Sequence, residues 1–79
     1  MDAVSQQFLR LTYEKAEQTN RSYVNGIAIS RDLGLDPNDY IRMIDSLQEA
    51  GYVYSPGGMA KDVKLTDAGI RQAKSTAPR

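Results

Sequence analysis

Within five residues the chain both ends one helix and begins the next. Leu33-Gly34-Leu35-Asp36-Pro37 sets a glycine where a helix closes in left-handed geometry, then an aspartate suited to cap the following helix. A proline follows at the first helical position, where its missing N–H removes nothing. Asp39 stands three residues after Asp36, the spacing of a capping box, and Leu35 and Tyr40 have the spacing of a hydrophobic staple. The helix that starts here turns Tyr40, Ile44 and Leu47 inward, with Ile41 beside them, and stops at Gly51. The helix before it, about residues 24–33, offers Val24, Ile29 and Leu33. Both are too short to stand alone and must share a core with the rest of the chain.

Periodicity supplies that remainder. Residues 3–18 read as a helix, with Val4, Phe8 and Leu11, and then Leu9, Thr12, Tyr13 and Ala16, at spacings of three and four. The polar run at 18–22 ends it. Tyr52-Val53-Tyr54 is short and β-prone, Ser55-Pro56-Gly57-Gly58 is a turn cluster, and Lys61 to Leu65 alternates polar with apolar. This predicts a β-hairpin with its turn inside residues 55–61. Thr66 caps a last helix, about 67–75, with Leu65 and Ile70 again at staple spacing. The expected fold class is mainly α with a small β-hairpin. Its 79 residues divide into one domain over 1–74 and a frayed tail over 75–79. Ile29, Leu33, Ile44, Leu47 and Val63 are expected to be buried.

The residues missing from the sequence exclude several classes of chemistry. Without cysteine there is neither a disulfide nor a thiolate metal site, and without histidine the usual neutral-pH base and commonest metal ligand are gone. The seven aspartates never form a dense calcium loop. No serine, lysine or carboxylate stands at a spacing that suggests acid–base or nucleophilic work. The expectation is therefore no enzyme, no cofactor and no metal. Pro56-Gly57-Gly58 lacks the strand, helix and lysine of a phosphate-cradling loop. No apolar run approaches the roughly 20 residues of a membrane span, and Met1-Asp2-Ala3-Val4 does not open like a signal peptide, so a cytoplasmic protein without a membrane partner is expected.

The stretch from Leu33-Gly34-Leu35-Asp36-Pro37 through Leu47-Gln48-Glu49-Ala50-Gly51-Tyr52-Val53 resembles the winged helix-turn-helix family of prokaryotic regulators. Leu65-Thr66-Asp67-Ala68-Gly69 is similar to the segment with which many of those domains leave the wing. The resemblance covers about residues 24–74. It implies a winged helix with a three-helix core, a two-stranded wing and a C-terminal helix. The function it implies is that of the DNA-binding domain of a small transcriptional regulator, with the third helix in the major groove of double-stranded DNA and the wing on the backbone. On that reading Asn38, Arg42, Met43 and Ser46 of the third helix and Lys61 and Lys64 of the wing make the contacts. Asparagine suits adenine and arginine suits guanine.

Charge opens a second reading. The exposed side of the third helix carries one cation, Arg42, among Asp36, Asp39, Asp45 and Glu49. Residues 24–50 hold five acids against two cations, and residues 51–79 hold five cations against two acids. Neutralising about three phosphates gives a shallow salt dependence, too little for tight binding by one copy. The alternative is a winged-helix module for protein contact that does not bind DNA. Asn38 would then only assist the cap, and Arg42 would pair with its acidic neighbours in water. Ile27 and Met43 are apolar where the pattern expects polar groups, which fits either partial burial or a partner surface. Tyr52 and Tyr54 share a strand face, with core packing expected for at least one. The first helix, apolar on more than one side, is the natural element for a homodimer.

Overall fold

Four helices and three short strands follow one another as α1 (Ala3–Thr19), β1 (Tyr23–Asn25), α2 (Gly26–Asp32), α3 (Pro37–Glu49), β2 (Val53–Tyr54), β3 (Asp62–Leu65) and α4 (Asp67–Lys74). This computed structural model describes residues 2–57 and 60–75. Gly58 of the expected turn and residues 76–79 of the expected tail lie outside the described residues, and Ser75 is the C-cap of α4. No helix among the described residues is long and apolar enough to cross a membrane.

Each helix begins on a side chain that takes up one of its free amides. Asp2 accepts from the Ser5 N–H at 2.7 Å, Asp36 from Asp39 at 2.8 Å, Thr66 from Gly69 at 3.0 Å, and Asn25 from both Ile27 and Ala28. Helices α2 and α3 close in the same way. Leu35 N–H reaches back to Ser30 O and Gly34 N–H to Arg31 O, just as Tyr52 N–H reaches Leu47 O and Gly51 N–H reaches Gln48 O. Both motifs require a left-handed residue at the stop, and Gly34 and Gly51 supply it with φ of +75° and +83°.

The sheet differs from the expected two-stranded wing. It has three antiparallel strands in the order β1-β3-β2, because Tyr23–Asn25 forms a strand where the second helix was expected to begin. Val24 pairs with Val63, and both are buried. A helix through this point would forfeit that pairing, and Asn25 is free to cap only from extended backbone. Val53 pairs with Leu65 on the same buried face, whereas Tyr54 pairs with Lys64 and Tyr23 with Lys64 on the open face. The turn between β2 and β3 lies within residues 55–61 as expected, but Lys61 precedes the strand.

The core joins Phe8 and Leu9 of α1 to Ile29, Tyr40, Ile44, Leu47, Val53, Val63, Leu65 and Ala73. Four of the five residues expected there are buried; Leu33, at the C-cap of α2, is only partly covered. Helix α1 packs along α4, where Gln6 and Gln72 exchange hydrogen bonds: Gln6 Nε2 donates to Gln72 O at 2.8 Å and Gln72 Nε2 to Gln6 Oε1 at 2.9 Å. The segment Gly51-Tyr52 is tied to the start of α4. The Thr66 hydroxyl donates to Gly51 O and the Thr66 N–H to Tyr52 O. Gln48 Oε1 accepts from Ser55 N–H, and Ser55 Oγ donates to Asp62 O, which anchors the hairpin on α3. Tyr40, stacked at a tilt on Phe8 with ring centroids 5.9 Å apart, donates its hydroxyl to Ala60 O. Ala60 has left-handed backbone, with φ of 54°.

Candidate functional site

Asn38, Arg42 and Ser46 lie exposed on α3, on the side predicted to meet a partner. Met43 does not. It is 9% exposed and belongs to the core. Its position explains this, because 40, 43, 44 and 47 lie one above another on a helix, so Met43 joins the inward stripe of Tyr40, Ile44 and Leu47. Ile41, expected beside that stripe, is instead 39% exposed. Ile27, the other apolar exception, is partly buried against the core.

The exposed side of α3 borders a groove. Asp39, Arg42, Met43 and Ser46 line it from α3, and Asp2, Val4 and Ser5 line it from the start of α1. Leu35, Leu47, Ala50 and Tyr52 complete it. The groove therefore combines apolar surface with two carboxylates, Asp2 and Asp39, and one guanidinium, Arg42. The Ser5 backbone N–H beside Asp2 holds its carboxyl below the usual range, so it is charged at neutral pH. Arg42 Nη1 lies 3.8 Å from Asp39 Oδ1 with both side chains mostly in solvent, a geometry in which an ion pair contributes little.

The wing lysines are also exposed, but they do not join this groove. Lys61 sits in the loop before β3. Lys64 reaches back over the sheet, its Nζ 5.9 Å from the Tyr23 ring centroid. It lines a separate groove with Tyr13, Glu17, Arg21, Asp67 and Ile70, and the two grooves share no residue. The α3 residues and Lys64, read from the sequence as one footprint, thus belong to different surfaces. Tyr52 is half-buried against the core, whereas Tyr54 is open to solvent.

Two parts of this surface escaped the sequence reading. The start of α1 is one, since nothing local to Asp2, Val4 and Ser5 announces that they border a groove with α3. Tyr23 is the other, because a strand of three residues leaves no period to read. No cluster of three or more acids occurs among the described residues that could hold a metal ion. No family model, curated protein or solved structure matches the chain.

Proposed function

We propose that the chain is a winged-helix domain that works by protein contact, seating the apolar side of a basic amphipathic helix in the groove between α1 and α3. The element order, the strand order β1-β3-β2 and the tight turn between α2 and α3 support the winged-helix reading. The observation that carries the function is the groove itself, with Val4, Leu35, Met43, Leu47 and Tyr52 as apolar lining and Asp2, Asp39 and Arg42 as its charged groups, one acid in excess. An amphipathic helix in a groove is a recurring mode of recognition, and acidic edges select a basic partner. The same acids oppose phosphates. The competing reading is DNA bound by α3 in the major groove with the wing on the backbone. It rests on the exposure of Asn38, Arg42, Ser46, Lys61 and Lys64.

One substitution moves the two readings in opposite directions. Asp39→Asn removes a carboxylate from the groove edge. Binding of a lysine-rich amphipathic helical peptide then weakens about threefold at low salt, the size of one exposed ion pair. Any binding of mixed-sequence duplex DNA tightens instead. Both titrations are run at about 50 mM and about 200 mM salt. Duplex binding at low salt that Arg42→Ala weakens, with no peptide binding, would replace the adaptor reading by the DNA reading.

A further inference from the structure

Asn25-Gly26 joins β1 to α2, and it is the one place in the chain where glycine follows asparagine. Such a bond is chemically labile, because glycine has no side chain to keep its nitrogen from the preceding carboxamide. The fold gives each residue a reason to be there. A Cβ at Gly26 would collide with the Tyr40 hydroxyl and lie 2.7 Å from Val63 Cγ2. Asn25 Oδ1 accepts from the Ile27 N–H at 3.1 Å and the Ala28 N–H at 3.2 Å, which caps α2. We propose that Asn25-Gly26 is a site of spontaneous deamidation and isomerisation, that pairing of β1 with β3 holds the reaction in check, and that the isoaspartyl product dismantles the β1–α2 junction.

The reaction needs only water and base. The Gly26 nitrogen gives its proton to hydroxide and attacks Asn25 Cγ. The Cγ–Nδ2 bond breaks, ammonia leaves with a proton taken from water, and a succinimide ring closes. Water then opens that ring. Opening at the side-chain carbonyl leaves aspartate in a normal chain, whereas opening at the main-chain carbonyl routes the chain through Cβ and Cγ as isoaspartate. The fold opposes the first step. Gly26 is buried and its N–H donates to Lys61 O at 2.8 Å, so deprotonation would set an anion against a carbonyl oxygen away from water. The carboxamide is meanwhile held on the start of α2. Asn25 itself is exposed, so water has access to the ring once it forms. The gate is therefore local opening, and β1, an edge strand of three residues, is the kind of element that opens below the cost of global unfolding. The two products differ in consequence. Aspartate keeps the capping oxygen and adds a negative charge at a helix start, where it is favourable. Isoaspartate adds a methylene to the main chain and absorbs the capping oxygen into it. Val24 opposite Val63 and Gly26 against Tyr40 then no longer fit together.

The test is peptide-map mass spectrometry of the full chain aged in mildly alkaline buffer, both native and in guanidinium chloride above its unfolding transition. Amide-to-acid conversion at Asn25 is expected in the unfolded chain, and at least about tenfold more slowly in the native protein. Hydrogen exchange of the Gly26 amide should be slowed by the same factor to within about threefold, because both reactions pass through the open state. Val24→Ala weakens the pairing of β1 and leaves the reacting groups intact, so it should speed native conversion several-fold and leave the unfolded rate unchanged. Asn25→Asp should unfold at the parent's urea midpoint or above it. The isoaspartyl form, separated from aged protein by chromatography, should unfold at a lower one. The proposal is overturned by absence of conversion in the unfolded chain or by equal native and unfolded rates. Conversion and amide exchange slowed to unlike degrees, or an isoaspartyl form as stable as the parent, would overturn it equally.

Discussion

Thr12 is the residue whose environment departs furthest from its chemistry. It faces the core from α1, fully buried, and its hydroxyl has no hydrogen-bond partner among the described residues. A buried hydroxyl left unpaired costs about 1–3 kcal/mol, whereas valine fills the same volume without that cost. Thr12→Val should therefore raise stability by about 1 kcal/mol, read as a higher urea midpoint at unchanged m. An unchanged midpoint would mean that the hydroxyl has a partner, such as an ordered water. Tyr40 is the opposite case, a buried hydroxyl with a partner in Ala60 O. Burial pushes its phenol from 10.0 up to about 12, so the folded state holds the neutral form. Because the folded value is the raised one, the stabilisation is complete below pH 10 and is lost as pH rises toward about 12. Tyr40→Phe should be less stable at neutral pH, through the unpaired Ala60 carbonyl, yet lose less stability on going to alkaline pH. Parallel decline of the two proteins would remove Tyr40 as the cause.

Two glycines separate two kinds of constraint within the elements. At Gly34 a Cβ would meet nothing within 4 Å, so the only penalty of Gly34→Ala is the left-handed backbone, about 1–2 kcal/mol. Gly26 opens α2, where alanine is the better helix former. Even so, a Cβ there would collide with the Tyr40 hydroxyl and Val63 Cγ2. Gly26→Ala should thus cost more than Gly34→Ala despite its favourable propensity, about 1–3 kcal/mol from overpacking. It should also be less than additive with Tyr40→Phe, which removes the nearest atom. Thermal unfolding of the three single variants and the Gly26→Ala/Tyr40→Phe double variant decides this. Strict additivity would show that the helix shifts away from α3 rather than pressing on the ring.

At the scale of the molecule, stability rests on one small core, so deep truncations are severe. Leu47 is 3% exposed within the core, and it also lines the α1–α3 groove. Leu47→Ala should cost about 2–5 kcal/mol, comparable with the whole stability of a domain this size. Loss of the cooperative transition in circular dichroism is the expected result, and a shift below about 1 kcal/mol would contradict the burial. The packing of α1 also bears on association. Phe8 and Leu9 are in the core, and Leu11, Tyr13 and Ala16 pack against it, which leaves Val4 as the exposed large apolar residue of that helix. Much of the apolar surface of α1 that pointed to a homodimer thus packs, in part, within the chain. Sedimentation equilibrium should give the monomer mass, and mass rising with concentration would restore α1 as an interface.

Local chemistry by itself determined the four helices and most of their ends, the start of α2 excepted. As caps and stops, Gly34, Asp36, Pro37, Gly51 and Thr66 act on amides and carbonyls within four or five residues of where they stand, so that part of their effect is readable in a linear chain. The inward stripe of α3 was nearly legible for the same reason, with Met43 missed because a 3.6-residue period places two adjacent positions on the core side. Tertiary structure decided what depends on distant partners. Tyr23–Asn25 becomes a strand because residues 62–64 lie alongside it, some forty positions away, and a strand that short has no period of its own. The groove exists because the start of α1 comes to rest beside α3, and Tyr23, Lys64 and Tyr54 share one open face because three strands align in one register. Such placements are fixed by burial of the whole core, a property no segment carries alone.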